Sequence, residues 1–325
     1  MSKIPILLTS VGVETGPNVI SALRKATEFS PFVIGVANDS LSAGLYLSDK
    51  KEMVPTIDSP DYIGAVDAIC QKYDIQIIIP LLSKEIALFS QKRSYFKQKG
   101  IRLAVSSPEV ISLCADKSQF LTFLLSHGIP APRLLSKESL KESDFPIFAK
   151  PVTGSSSRFS LRLDTKMELN YLEKQVQPLK LSLQELLVGP EYTIDTLSDL
   201  DGNFMAGAIR ERLSVKDGKS VKGRTVKNDR LMEEVRLILS LIKIVGPANL
   251  QCIEENGEYK FFEINTRFSA GGLPLTVAAG LNTPVLLIKM LLDLNIDPTE
   301  LEYKPDVYIS RYLTEVFPNI ERSKG

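Results

Sequence analysis

The residues best suited to chemistry in this chain lie in one stretch, LQCIEENGEYKFFEINTRFSAGG, residues 250–272. Asn256-Gly257 is a strong hairpin signal, so strands should flank it. Glu263 and Asn265 stand two apart and point to one side of their strand. Phe262 and Ile264 form its apolar side, with Ala248, Leu250 and Cys252 as apolar counterparts on the partner strand. Gln251 is left on the side of Glu263 and Asn265. Three oxygen-bearing side chains on one sheet face, with Arg267 just beyond, make a hard-cation site beside a fixed positive charge. Magnesium takes oxygen ligands and keeps phosphate oxygens and waters among them. A solvated sheet face is the bland alternative, but Asn is depleted in strands. The glycines of the following SAGGLP, 269–274, let a ligand approach the backbone closely.

This reading sets a condition on register. A bare two-residue turn at Asn256-Gly257 would put Gln251 opposite Phe262 and mix the two faces. A one-residue slip flips every side chain, so the common face needs an odd residue, from a three-residue loop or a glycine-type bulge. The expectation is Gln251 opposite Glu263 or Phe261, with Cys252 and Phe262 buried on the other side.

Other stretches hold cations and hydrogen-bond donors that mean little alone, since a strand-ending lysine is more often a surface cap than a ligand and a Ser-rich turn is common. Lys117 opens a helix at 116–128, and Lys150 ends the apolar strand of FPIFAKP, 145–151. The loop 153–158, TGSSSR, offers amides and hydroxyls that donate to phosphate, with Gly154 permitting a tight bend. Two decoys fall away. Residues 218–225, GKSVKGRT, are nearly a phosphate-cradling GxxxxGK[ST], but Arg224 stands where the lysine should be and no buried strand leads in. Residues 12–16, GVETG, with Asp39 beyond, mimic a dinucleotide fold without its G-x-G-x-x-G.

Composition removes several classes of function. Lys plus Arg and Asp plus Glu number 39 each, so nothing points to nucleic acid or an acidic membrane. The longest apolar runs, 75–82 and 237–245, are too short to span a bilayer. The first ten residues read as a strand rather than a targeting segment. Three scattered cysteines give neither a zinc site nor a disulfide framework and fit a reducing cytoplasm. The single histidine, His127, reads as a helix-ending residue, and a two-histidine metal site is excluded.

These groups need elements to position them. Strands at 4–9, 32–37, 75–80 and 102–105 alternate with helical stretches at 18–29, 63–73 and 86–99, which predicts a parallel, doubly wound sheet. After the 116–128 helix the pattern becomes α+β. Strands are expected at 147–150, 159–163, 181–187, 192–197, 204–212, 249–254 and 259–265, with helices at 166–175, 230–244 and 283–294. The stretch 216–228 reads as basic and mobile. The expected fold class is α/β plus α+β, divided at 1–113, 114–187 and 188–325.

EINTRFSAGG resembles the E-x-N-P-R-F motif of the ATP-grasp superfamily, with Thr266 in place of the usual proline. With Gln251 upstream it is particularly similar to the metal-binding Gln, Glu and Asn of the carbamoyl-phosphate synthase large subunit. The other stretches match in family order, from about residue 4 to 287. The resemblance makes Lys117 and Lys150 the nucleotide-binding cations, and Gly154, Ser155 and Ser156 part of the loop over the triphosphate. It makes residues 184–191, QELLVGPE, the hinge, where the backbone around Glu185, Leu186 and Leu187 meets adenine and Glu191 accepts from the ribose. It implies an N-terminal Rossmann-like domain, then a lid subdomain and a catalytic subdomain. The implied cofactors are ATP and Mg2+, or Mn2+ in its place, held by Gln251, Glu263 and Asn265. The implied partners are a small-molecule carboxylate and an amine, and a homodimer is compatible. Arg267 and Arg210, with Arg212 as a further candidate, would stabilise charge added to the phosphoryl group. Acceptor specificity falls to Glu14, Asn38, Asp39, Glu85 and the 269–272 loop. Phosphorylation of bicarbonate or carbamate is the alternative.

Overall fold

Short β-branched runs build a four-stranded parallel sheet from β1 (Lys3–Leu8), β2 (Ser30–Ala37), β3 (Lys50–Met53) and β4 (Ile77–Ile79), in the order β3-β2-β1-β4. The computed structural model of the chain describes residues 3–154, 159–216 and 218–318. Alternation along β1 sends Ile6 and Leu8 into one core and Leu7 into another, so both sheet faces are covered, as a doubly wound sheet requires. Helix Thr15–Leu23 packs on the first face, and helix Tyr62–Lys72 on the second.

Several expected elements shift. The segment 102–105 is no strand, since only Arg102 bridges to Ile77. The helix expected at 86–99 begins at Ser83 and breaks at Lys92 into Ser83–Gln91 and Arg93–Gln98. The first helix occupies Thr15–Leu23 rather than 18–29. Strand β3 lay hidden in the polar run KKEM because it sits at the sheet edge, where no apolar pattern is imposed.

A small antiparallel sheet follows, with β5 (Ile147–Pro151) between β6 (Leu161–Leu163) and β7 (Leu181–Glu185). Helix Lys166–Val176 covers it with Leu169, Leu172 and Val176. The third sheet is antiparallel with six strands, namely β8 (Glu191–Ser198), β9 (Phe204–Lys216), β10 (Lys219–Val226), β11 (Gly246–Glu255), β12 (Glu258–Asn265) and β13 (Tyr308–Ser310). Their order is β12-β11-β8-β9-β10-β13. The basic stretch expected to be mobile is thus largely strand β10, held on both sides by β9 and β13.

The large sheet's two faces explain the position of the cleft. On one face Ile194, Ile209, Leu250, Cys252 and Ile264 pack against helices Asp229–Ile242 and Lys117–Ser126. The other face is apolar at one end, where Leu197, Ala206 and Ala208 join helix Thr283–Leu291 and the core of the parallel sheet. At its other end the same alternating positions carry Asp195, Arg210, Asn249, Gln251, Glu263 and Asn265. Here the covering helices give way to a cleft.

Candidate functional site

The hairpin that carries the candidate metal ligands has a two-residue turn. Glu255 pairs with Glu258, and Asn256 and Gly257 both have positive φ, at 53° and 80°. The odd residue comes later, at a bulge where Cys252 pairs with Phe261 but Gln251 pairs with Glu263. Phe262 is the extra residue. The expected register of Gln251 against Glu263 is therefore present, supplied by a bulge within the strand and not by the turn. The bulge also corrects the expected burial, because Phe261 joins Cys252 in the core while Phe262 stays half-exposed. The freed Phe262 carbonyl accepts the Lys150 ammonium at 2.9 Å, and that ammonium lies 5.0 Å from the Phe262 ring centre.

Beyond the bulge, two cross-strand rows form the cleft floor. One runs Glu263, Gln251, Thr193, Arg210 across β12, β11, β8 and β9. At three strand spacings, Glu263 and Arg210 are about 14 Å apart along this row. The second runs Asn265, Asn249, Asp195. Asn265 donates to Glu263 at 3.1 Å and to Asn249 at 3.3 Å, and Asn249 donates to the Arg267 carbonyl at 2.9 Å. Arg267 reaches back to Asn265 at 3.4 Å and across to Ser83 Oγ at 3.3 Å. It thereby ties the large sheet to the start of the helix after β4.

The cleft measures about 600 Å3 and all three sheets line it. The parallel sheet contributes Val13–Thr15 after β1 and Leu81–Ser83 after β4. Chain order reverses between these strands, the point at which open α/β sheets bind ligands. From the small sheet's side come Thr153, Gly154 and Lys117. Asp116 caps its helix by accepting from Gln119 at 2.9 Å, which seats Lys117 at the first turn, where its ammonium donates to the Gly154 carbonyl at 2.9 Å.

Electrostatics distinguish this cleft from the balanced chain around it. Among the described residues, Lys117, Arg210, Arg212, Lys219 and Arg267 line it with Glu14 and Glu263. Asp195 and Glu191 pair with two of these cations from beside it, and with Lys150 beneath the balance stays positive and suits an anion. Lys150 sits beneath, 3 % exposed, which excludes a surface cap for this strand-ending lysine. Burial pushes its ammonium down to about 8, with Glu263 opposing and Lys117 adding to the fall. Glu191 is pushed up by burial against the pull of Arg212, with which it forms an ion pair. Arg212 also donates to Gln251 Oε1 at 3.0 Å and to the Gly218 carbonyl at 2.7 Å. Its Nε, like Ser269 Oγ, is buried with no partner among the described residues. Two such orphaned groups on one cleft mark a place where ligand atoms can complete the bonding.

Glu263 is the exception among these charges. Amid five lining cations, its carboxylate takes a single hydrogen bond, from Asn265, and no ion pair among the described residues. A carboxylate free of ion pairs among the described residues, beside two amide oxygens, fits magnesium, with phosphate and water completing the shell. Gln251, Glu263 and Asn265 could hold it.

Not every expected residue comes to the cleft. Glu185, Leu186 and Leu187 do not line it, and Glu185 instead accepts Lys260 at 2.9 Å while its amide donates to the Arg133 carbonyl at 3.0 Å. Glu191 is taken by Arg212. Ser155 and Ser156 lie outside the described residues. Of the acceptor candidates, Glu14 and the 269–272 loop line the cleft. Asn38 and Asp39 are exposed elsewhere. Glu85 is buried, accepting from Thr9 at 2.7 Å and from Tyr62. His127 ends its helix with Nδ1 2.8 Å from the Phe123 carbonyl. Sequence reasoning missed Asn249, Thr193 and Asp195, although their alternation with Leu250 and Ile194 carried the signal.

Two family models match this chain. One is described as "ATP-grasp in the biosynthetic pathway with Ter operon" and covers residues 177–315. The other is described as "PylC-like, N-terminal domain" and covers 6–104. The carbamoyl phosphate synthase large chain of Pseudothermotoga lettingae is 25 % identical over 230 residues, which cover 64 % of this chain and 21 % of that protein. The match thus spans about a fifth of that relative's length. Among solved structures, biotin carboxylase of Campylobacter jejuni superposes with a TM-score of 0.73 at 15 % identity, over 94 % of this chain and 74 % of that one. L-amino acid ligase from Bacillus licheniformis gives 0.70 at 16 % identity, over 93 % and 78 %. The fold is the one these two proteins share.

Proposed function

We propose, from the ATP-grasp family model that matches residues 177–315, that this chain is a magnesium-dependent, ADP-forming carboxylate–amine ligase. The observation that carries this reading is the Glu263 carboxylate, without an ion pair among the described residues and aligned with Gln251 and Asn265 on the floor of a cationic cleft. Magnesium, when bound by these three, would offset charge on the β- and γ-phosphates of ATP. Lys117, Lys150 and the 153–157 loop would hold the triphosphate. A substrate carboxylate oxygen attacks the γ-phosphorus and ADP leaves. The amine nitrogen then attacks the acyl carbon, phosphate leaves, and the nitrogen gives up a proton. Phosphoryl transfer needs positioning and charge more than acid–base groups, which suits a cleft with five cations and no histidine. Arg210 and Arg267 would steady the added negative charge. Three buried free cysteines suit the cytoplasm as the place of reaction.

Purified protein should release ADP only when both a carboxylate and an amine are supplied. Equal ADP release from ATP alone, or none with any pair from a broad metabolite pool, would sink the ligase reading. The pairing of Gln251 with Glu263 favours a second reading, phosphorylation of bicarbonate or carbamate. Carbamoyl phosphate formed from bicarbonate, ammonia and ATP would decide for it.

Lys150 gives this reading a pH signature. Burial holds its ammonium down to about 8, and contact with a phosphate favours the charged form. Nucleotide affinity should therefore weaken as pH rises through about 8, with proton uptake on binding above it. For folding the sign is opposite, because the unfolded lysine holds its proton to higher pH. Charging the buried group costs stability below 8, and that cost fades as pH climbs toward the ordinary lysine range. Lys150→Met should weaken ATP binding about tenfold or more and erase the pH step. Unchanged affinity by calorimetry would remove Lys150 from the nucleotide site.

A further inference from the structure

A second charge cluster stands on the same cleft, at the glycines of the 269–272 loop. Glu14 begins the helix after β1, and its two oxygens take two cations from another sheet's edge. Oε2 pairs with Lys219 Nζ at 2.7 Å, and Oε1 pairs with the Arg311 guanidinium. Arg311 is fixed just past β13 by its amide, which donates to the Val221 carbonyl at 3.0 Å. The loop is pinned by Asn18, which donates to the Ala270 carbonyl at 2.6 Å. A Cβ at Gly271 would lie 2.5 Å from Arg311 Nη1, and one at Gly272 would lie 1.9 Å from Arg210 Cζ. Neighbouring Cα atoms are about 3.8 Å apart. The double glycine therefore brings the Arg311 cluster and the Arg210 row together with no side chain between them.

The charges say what fits there. Among the described residues, two cations and one carboxylate leave a surplus positive charge. An amine alone would add a third cation to the single carboxylate. A carboxylate alone would satisfy the surplus but leave Glu14 bound to both its present partners. A zwitterion gives its ammonium to Glu14 and its carboxylate to Arg311 and Lys219, so every charge finds an opposite partner. We propose that Glu14, Arg311 and Lys219 bind the head group of a free α-amino acid, which is one of the two substrates. The chemistry of this inference rests on the ligase reading, but the binding does not.

The test is calorimetry of the full chain with a panel of α-amino acids of both hands, each beside its deaminated acid and its decarboxylated amine. At least one amino acid should bind, and its two single-charge analogues should bind at least about tenfold more weakly. Glu14→Gln should weaken the amino acid about tenfold yet leave its deaminated acid unchanged or tighter, while Arg311→Met weakens both. ATP affinity should stay within about twofold in both variants, whereas a merely structural clasp would shift it along with the amino acid. If Glu14→Gln fails to fold, Lys219→Met serves in its place, with loss on the carboxylate side. Deaminated acids binding as well as amino acids, or no amino acid binding at millimolar concentration, overturns the proposal. ADP release is scored separately. Turnover with a simple carboxylate and a simple amine, neither of them an amino acid, sinks this inference and spares the ligase reading, while amino-acid binding without turnover does the reverse.

Discussion

Glu263→Gln should lower ATP cleavage by at least about a hundredfold while leaving the fold intact. The side chain keeps its volume, and the amide oxygen can still accept from Asn265, its only hydrogen-bond partner among the described residues. No ion pair is broken, so thermal stability should stay close to that of the unmodified chain. What disappears is the negative charge facing the metal. The sign of the binding change separates this cause from a packing defect. Without magnesium, the variant cleft is more positive by one unit and should bind ATP at least as tightly. With magnesium, the ordinary gain in affinity should be lost. Activity within a few-fold of the original, or a magnesium effect that survives, would dismiss Glu263 as the principal ligand.

The hairpin that holds Glu263 shows how far sequence reading reached. Asn256-Gly257 marked the turn, and alternation put Leu250, Cys252 and Ile264 in the core, where they lie. The conflict between a two-residue turn and a shared polar face was also visible, since only an odd residue resolves it. Its location was not, because a bulge at Phe262 leaves no mark in a run where Phe261 and Phe262 are the same residue type. Only the packed core, which takes Phe261, and Lys150, which takes the Phe262 carbonyl, decide between them. The same limit applies to β3 and β10. Their polar sequences sit at or near sheet edges, where neighbouring strands rather than a buried face select the conformation. Contacts across long stretches of sequence were equally silent. Nothing local in Asp195, Arg311 or Glu14 announces that Arg210 or a β10 lysine will stand beside it.

Asp195 shows what such a silent contact is worth. Its carboxylate receives Arg210 twice, from Nε at 3.0 Å and Nη2 at 2.8 Å, and Thr276 Oγ1 donates at 2.5 Å. Both charged partners are nearly inaccessible, Arg210 at 3 % and Asp195 at 4 % exposure. Removing one member of such a pair strands the other charge away from water, so Asp195→Ala should cost roughly 3–5 kcal/mol and lower Tm by about 10 °C. Asp195→Asn should fall between, since it keeps the shape and some hydrogen bonding but not the charge. A phosphate arriving at the cleft would give the stranded guanidinium a new partner. ATP or ADP with magnesium should therefore raise the Tm of Asp195→Ala more than that of the unmodified chain. A drop of under about 2 °C would mean that Arg210 relaxes into solvent on its own. An equal nucleotide shift in both proteins would mean that it never meets phosphate. The paired outcome, a large loss that nucleotide partly restores, is expected if Asp195 holds the guanidinium on the cleft floor facing the phosphoryl group.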